Sequence, residues 1–233
     1  MHNVSQRQAT EAMPVTVSEK TTFWRDKRFR NMECMAATFI THEFAPHTHD
    51  TFSIGAIESG CQIACIRGER EFTGPGALYL LNPGEVHDGA PGVREGYRYR
   101  MIYPDIDLFT SILEDVTGRT FHGTPSFSRQ LLHDPELAAA FQRAHCLTQE
   151  GKDQLAAEEG MYGVLSQMFA RYHHRAAQGA RPDRPQARLR LYRRQLLLRD
   201  RPGGPGGCFR PQPRASDTRL PQALLHHAAC FPD

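Results

Sequence analysis

Long apolar runs are what this 233-residue sequence most clearly lacks. None approaches the roughly 18 residues that a membrane-spanning helix needs, which predicts a chain without such a helix and without a membrane partner. The first twenty residues are polar and lack the apolar centre of a secretory signal. Cysteine is sparse, at 34, 61, 65, 146, 208 and 230. No pair is spaced C-x2-C, so a zinc ribbon or a thioredoxin-like site has no support. A cytoplasmic location with reduced thiols is the expectation. Tryptophan occurs once, at Trp24. Also missing are a nucleophile elbow, a phosphate loop and a convincingly paired set of acids, so the common hydrolytic and nucleotide-dependent chemistries find no footing.

What is present is an ordinary globular composition, 39% hydrophobic and 23% charged, with a net charge of +2. That small net charge hides an asymmetry. Residues 181–233 hold 11 Arg and 4 Asp with no Lys or Glu, a net of +7, and 8 of the 16 prolines. The preceding 180 residues are net −5. So abrupt a shift marks a boundary between an acidic, patterned body and a basic, Pro-rich tail.

Within the body the pattern changes once. Apolar or alternating runs at 34–41, 51–58, 61–67, 77–82 and 97–103 are separated by Gly and Pro turns. They predict short strands packed as a sandwich or small barrel. After Pro104 the period becomes helical. Residues 105–116 place Ile106, Phe109, Ile112, Leu113 and Val116 on one face. Asp134, Pro135 and Glu136 read as the N-cap and first turn of a second helix. A third is predicted from about Asp153 to Ala177, with Leu155, Met161, Val164, Leu165, Met168, Phe169 and Tyr172 as its apolar stripe.

The chemistry sits between 46 and 87. His47 and His49 are two apart, which on a strand turns both imidazoles to one face. His87 follows the Pro83-Gly84 turn about forty residues later. Three neutral imidazoles converging on one end of a barrel are able to hold a divalent metal, or to line a metal-free pocket.

The segments PHTHDTFSIGAIESG and GALYLLNPGEVHDG resemble the paired motifs of the cupin barrel. The variant they are most similar to is the N-terminal effector-binding and dimerisation domain of AraC/XylS-type bacterial transcription regulators. GYRYRMIYPD, residues 96–105, is similar to the strand that closes that barrel, and the resemblance extends over roughly 20–178. It implies a β-barrel of the cupin or jelly-roll class followed by α-helices. The expected organisation is a flexible arm over 1–20, a cupin barrel over 21–104, linker and dimerisation helices over 105–180, and a disordered tail over 181–233.

The resemblance also implies a small-molecule effector, a homodimer, and DNA as the partner of the whole regulator. Candidate effector-binding residues are His47, His49, Phe52, Ile54, Tyr79, His87 and Tyr99, with Trp24 read either as a lid over the effector or as a residue packed on the barrel exterior. Tyr97 and Arg100 near the barrel end would suit a polar or anionic effector. No cofactor is expected. The alternative is a small metal-dependent cupin enzyme, a dioxygenase or isomerase, using His47, His49 and His87. Against it, Thr51, Phe52 and Ser53 stand where metal-dependent cupins place a carboxylate or Gln.

The tail does not read as the paired helix-turn-helix units of such regulators. It is either a basic arm that touches phosphates without reading sequence, or an out-of-frame translation. A one-base shift with permitted wobble choices re-reads Arg193 to Arg214 and Thr218 to Phe231 as strings resembling the family's DNA-binding domain. Either account predicts a chain without sequence-specific DNA binding.

Overall fold

Alternation along four central strands decides how this molecule layers. The computed structural model describes residues 19–173. The arm before residue 19, the basic tail and the reading-frame question therefore lie outside the described residues. Ten strands are present: β1 (Lys20–Asp26), β2 (Met32–Phe39), β3 (Phe44–His47), β4 (Ser53–Gly60), β5 (Gln62–Ile66), β6 (Glu69–Thr73), β7 (Ala77–Leu81), β8 (His87–Pro91), β9 (Tyr97–Tyr103) and β10 (Leu131–His133). They pair antiparallel as a six-stranded sheet, β1-β2-β9-β4-β7-β10, and a four-stranded sheet, β3-β8-β5-β6. Three helices follow, α1 (Ile106–Thr117), α2 (Pro135–Glu150) and α3 (Gln154–Tyr172). This is the expected cupin-like β fold followed by helices, with its strands hydrogen-bonded as two facing sheets.

In a strand, successive side chains leave on opposite faces. Met35, Ile57, Tyr79, Tyr99 and Met101 of the larger sheet share one buried cluster with Phe44, Ala64 and Ile66 of the smaller. Cys34, Ala56, Leu78 and Ile102, their neighbours in sequence, join the apolar faces of the helices instead. The result is three layers with two cores, one on each side of the six-stranded sheet. The helix-side core is dry and aromatic. Phe52 stacks on Phe109 at 4.4 Å, and Phe109 meets Phe169 at 4.2 Å. Gly55 faces the other core, where an added Cβ would overlap Met101 Sδ and the Arg100 carbonyl. Only glycine lets β4 and β9 come this close.

The helix starts follow the capping rules. Asp105, Asp134 and Asp153 each accept a hydrogen bond from the backbone N–H three residues on, at 2.7, 3.1 and 3.0 Å. Pro135 occupies the first turn of α2 as expected. Two residues assigned to apolar stripes are exposed. Leu155 is 66% exposed and Val116 is 42% exposed. The stripe of α3 runs instead through Ala157, Met161, Val164, Leu165 and Met168, and Leu155 lies off that face.

The five expected strands are β2, β4, β5, β7 and β9. The other five carry little apolar pattern of their own. β6 (EREFT) is an edge strand with four exposed residues. β8 (HDGAP) is a strand because β3 and β5 flank it. Cys34, Cys61 and Cys146 are free thiols.

Candidate functional site

Between the sheets lies a cavity of about 40 Å³, measured as space open to the centre of a water molecule. At roughly 10–15 Å³ per water this holds about three waters. It fits a ligand of a few heavy atoms, or a larger one only if the walls move. Its polar lining is Ser53 of β4, Gln62 of β5, Tyr79 of β7, Asp88 of β8, Tyr99 and Tyr103 of β9, and His47 and His87. Phe44, Leu81 and Met101 contribute apolar wall. No Lys or Arg lines it among the described residues.

One wall is an internally satisfied polar network. The Tyr79 hydroxyl donates to Gln62 Oε1 at 2.6 Å, and Gln62 Nε2 donates to the Tyr97 hydroxyl at 3.0 Å. Thr73 hydrogen-bonds the Tyr79 hydroxyl and donates to the Gln62 carbonyl at 3.1 Å. Burial raises the pKa of the Tyr79, Tyr97 and Tyr103 phenols, so all three stay protonated. Orienting a tyrosine through a buried amide in this way holds the cavity's shape before any ligand arrives.

The opposite end is imidazole. His47 and His87 are register partners across β3 and β8, and their rings are 4.4 Å apart. His49, just past the end of β3, completes a triangle at 4.9 Å from His47 and 5.2 Å from His87. The Pro83-Gly84 turn is tied to this corner, since Gly84 N–H donates to the His49 carbonyl at 2.8 Å. Asn82 anchors the same turn to Phe127 by two hydrogen bonds, at 2.7 and 3.0 Å. His47 Nδ1 donates to the Ala45 carbonyl at 2.7 Å and His87 Nδ1 to the Glu85 carbonyl at 2.9 Å. A carbonyl only accepts, so the proton of each neutral ring sits on Nδ1 and the lone pair on Nε2. Burial lowers the pKa of both rings. For His87 the positive forms of His47 and His49 add to the effect, and it is well below the ordinary value. Both rings are therefore neutral near pH 7.

These residues fit a divalent metal. The three ligand atoms lie within 4.8 Å of one another, so some point lies within about 2.8 Å of all three. Zinc–imidazole bonds of about 2.0–2.1 Å would need each ring to close by under about 0.8 Å. His47 Nε2 is buried with no hydrogen-bond partner. Backbone-anchored Nδ1 atoms are the usual outer support of metal-binding histidines.

The residues expected to bind effector divide between the two cores. His47, Tyr79, His87 and Tyr99 line the cavity, and His49 joins the histidine triangle. Phe52 and Ile54 do not line it; both belong to the helix-side core. Trp24 is not a lid. β1 pairs with β2 along its whole length, and the indole packs edge-on to His145 of α2 at 4.9 Å. Arg100 also points away from the cavity, pairing with Glu58 of β4 and with His145 and Gln149 of α2. Each of these residues is one alternation step from the cavity side. Ser53, Gln62, Met101 and Tyr103 were missed. For Ser53 and Met101 the available signal was strand parity relative to Tyr79.

The model of the AraC-like ligand-binding domain family matches residues 30–165. The chain belongs to that family. An uncharacterized HTH-type transcriptional regulator of Bacillus subtilis (strain 168), YbfI, is 31% identical over 133 residues, 57% of this chain and 48% of that protein. The chain thus spans about half the length of that curated relative. Among solved structures it is similar to the AraC-like transcriptional activator CuxR, at 13% identity and a TM-score of 0.46, covering 78% of this chain and 67% of that one. KdgF from Halomonas sp. is similar at 15% identity and a TM-score of 0.34, covering 41% and 88%. No helix among the described residues is long and apolar enough to cross a membrane.

Proposed function

We propose that this domain is the sensing part of an AraC-type transcription regulator, taking a small molecule between its two sheets. The observation that carries this reading is the double role of β9. Tyr99 and Met101 line the cavity. Arg100, between them, donates to His145 Nδ1 at 3.2 Å and to Gln149 Oε1 at 2.6 Å, both on α2. His145 Nε2 donates back to the Met101 carbonyl at 3.0 Å. A ligand that shifts the cavity side of β9 therefore acts directly on the helix it grips. Through the helices, occupancy would reach a second copy of the chain and, in a whole regulator, the DNA-contacting part. The role is sensing rather than catalysis, supported by the family to which the chain belongs.

A thermal-shift screen of the full chain against small sugars, amino acids and organic acids tests the reading. The expected result is a ligand that raises Tm for the native chain and binds about tenfold more weakly to Gln62→Leu, which loses the network that orients Tyr79. A ligand whose affinity ignores Gln62→Leu would place binding elsewhere. Size-exclusion chromatography checks the homodimer. A mobility-shift assay with competitor DNA checks the expected lack of sequence-specific DNA binding in this chain.

A further inference from the structure

The cavity's polar lining contains no cationic side chain, yet it ends in three converging imidazoles. We propose that His47, His49 and His87 hold a divalent transition-metal ion whose open side faces the cavity and takes an anionic oxygen- or nitrogen-donor ligand. The inference deepens the sensing reading, because it names the ligand class of the same cavity.

Three observations carry it. First, His47 is 7% exposed, and its Nε2 has no partner while its Nδ1 is tied to the backbone. Leaving such an atom unpaired in the interior is costly, and a bound ion removes that cost. Second, His87 is oriented by the same device from the neighbouring strand, Nδ1 to the carbonyl two residues back. Two strands thus aim lone pairs at one point. Imidazole nitrogens select zinc, copper, iron, nickel and similar ions over magnesium or calcium. Third, no Asp or Glu joins the cluster among the described residues. The one carboxylate of the cavity wall, Asp88, accepts the Cys65 N–H at 3.0 Å. Three neutral ligands leave the ion's double positive charge uncompensated within its own ligand set. Arg100, the buried cation nearest in sequence, is spent on Glu58 and α2. The ion would be the anchor for a negatively charged ligand, and three protein ligands leave a coordination position for it.

Chelator-stripped full-length chain should be titrated with Co²⁺ and followed by visible absorption, with azide as the anionic probe. One equivalent is expected to saturate a ligand-field band that azide then shifts. His87→Ala should weaken binding by about 100-fold or more, whereas His122→Ala, at an exposed loop histidine, should not change it. Pulsed EPR of the Cu²⁺-loaded native chain counts bound imidazoles without any variant, and three are expected. Absence of stoichiometric binding, fewer than three imidazoles, or a band that ignores azide would overturn the proposal. If the stripped chain still binds a neutral molecule whose affinity depends on Gln62, this inference fails while the sensing reading stands. If neither ion nor small molecule binds, both fall.

Discussion

The two faces of the six-stranded sheet are made by the same strands and have opposite chemistry. On the helix side Phe52, Ile54, Leu78, Leu80 and Ile102 meet the helices in a dry contact with aromatic rings 4.2–5.9 Å apart. On the cavity side Ser53, Tyr79, Tyr99, Met101 and Tyr103 face histidines and a glutamine. The first face buries mainly apolar area, and so contributes stability. The second gathers groups whose hydrogen bonds must be arranged one by one. A single backbone thus separates holding the fold from holding a ligand, by alternation alone.

The largest expected effect breaks the dry face. Phe169→Ala empties the centre of the aromatic cluster and should cost about 3–5 kcal/mol, read by denaturant unfolding. The ligand affinity of the remaining folded fraction should be nearly unchanged. A smaller loss is expected at the one polar intrusion into that side. Arg100→Ala removes the hydrogen bonds to His145 and Gln149 and leaves Glu58 with Arg98 alone. That should cost about 2 kcal/mol and also blunt any ligand-induced change in α2, measurable as altered hydrogen exchange of residues 135–150.

The same intrusion predicts a pH dependence. Burial first, with the Arg100 charge adding to it, lowers the pKa of His145 to about 3. Its folded value is below its unfolded value of about 6.5. The unfolded chain therefore takes up the proton first as pH falls. The stability this group contributes is fully present above about pH 6.5 and is lost progressively toward pH 3. His47 and His87, lowered mainly by burial, add to the loss in the same direction. Urea midpoints between pH 8 and 4 should fall with acidity, and His145→Gln should flatten the slope.

The smallest stability effect is expected on the cavity side. His47→Gln removes a ring whose Nε2 has no partner, so unfolding free energy should move by about 1 kcal/mol or less. Ion binding should nevertheless be lost. A large destabilisation would mean that the histidine triangle is a structural cap.

Much of this was legible in the sequence. The five strongest strands, the capped helix starts and the convergence of His47, His49 and His87 follow from alternation, turn residues and spacing. What was not legible is instructive. Phe52 and Ile54 looked like cavity lining because they are apolar and alternate, yet the cavity face of β4 belongs to Ser53 and Gly55. Periodicity shows that two faces exist without showing which sheet or helix each will meet. Trp24 was open to two readings, lid or exterior packing, because nothing local reveals that β1 pairs with β2. β6 and β8 owe their structure to their neighbours, and their own residues carry almost no strand pattern.

Methionine methyl groups offer the most direct test of the division between the two faces. Met35 and Met101 lie in the cavity-side core, and Met32, Met161 and Met168 in the helix-side core. Methyl-labelled chain should be titrated with the small molecule that raises Tm most, and its methyl spectrum followed. The account predicts that Met101 shifts first and furthest, with Met161 and Met168 changing little. Saturable shifts at Met161 and Met168 with Met101 unmoved would contradict it and place the ligand among the helices.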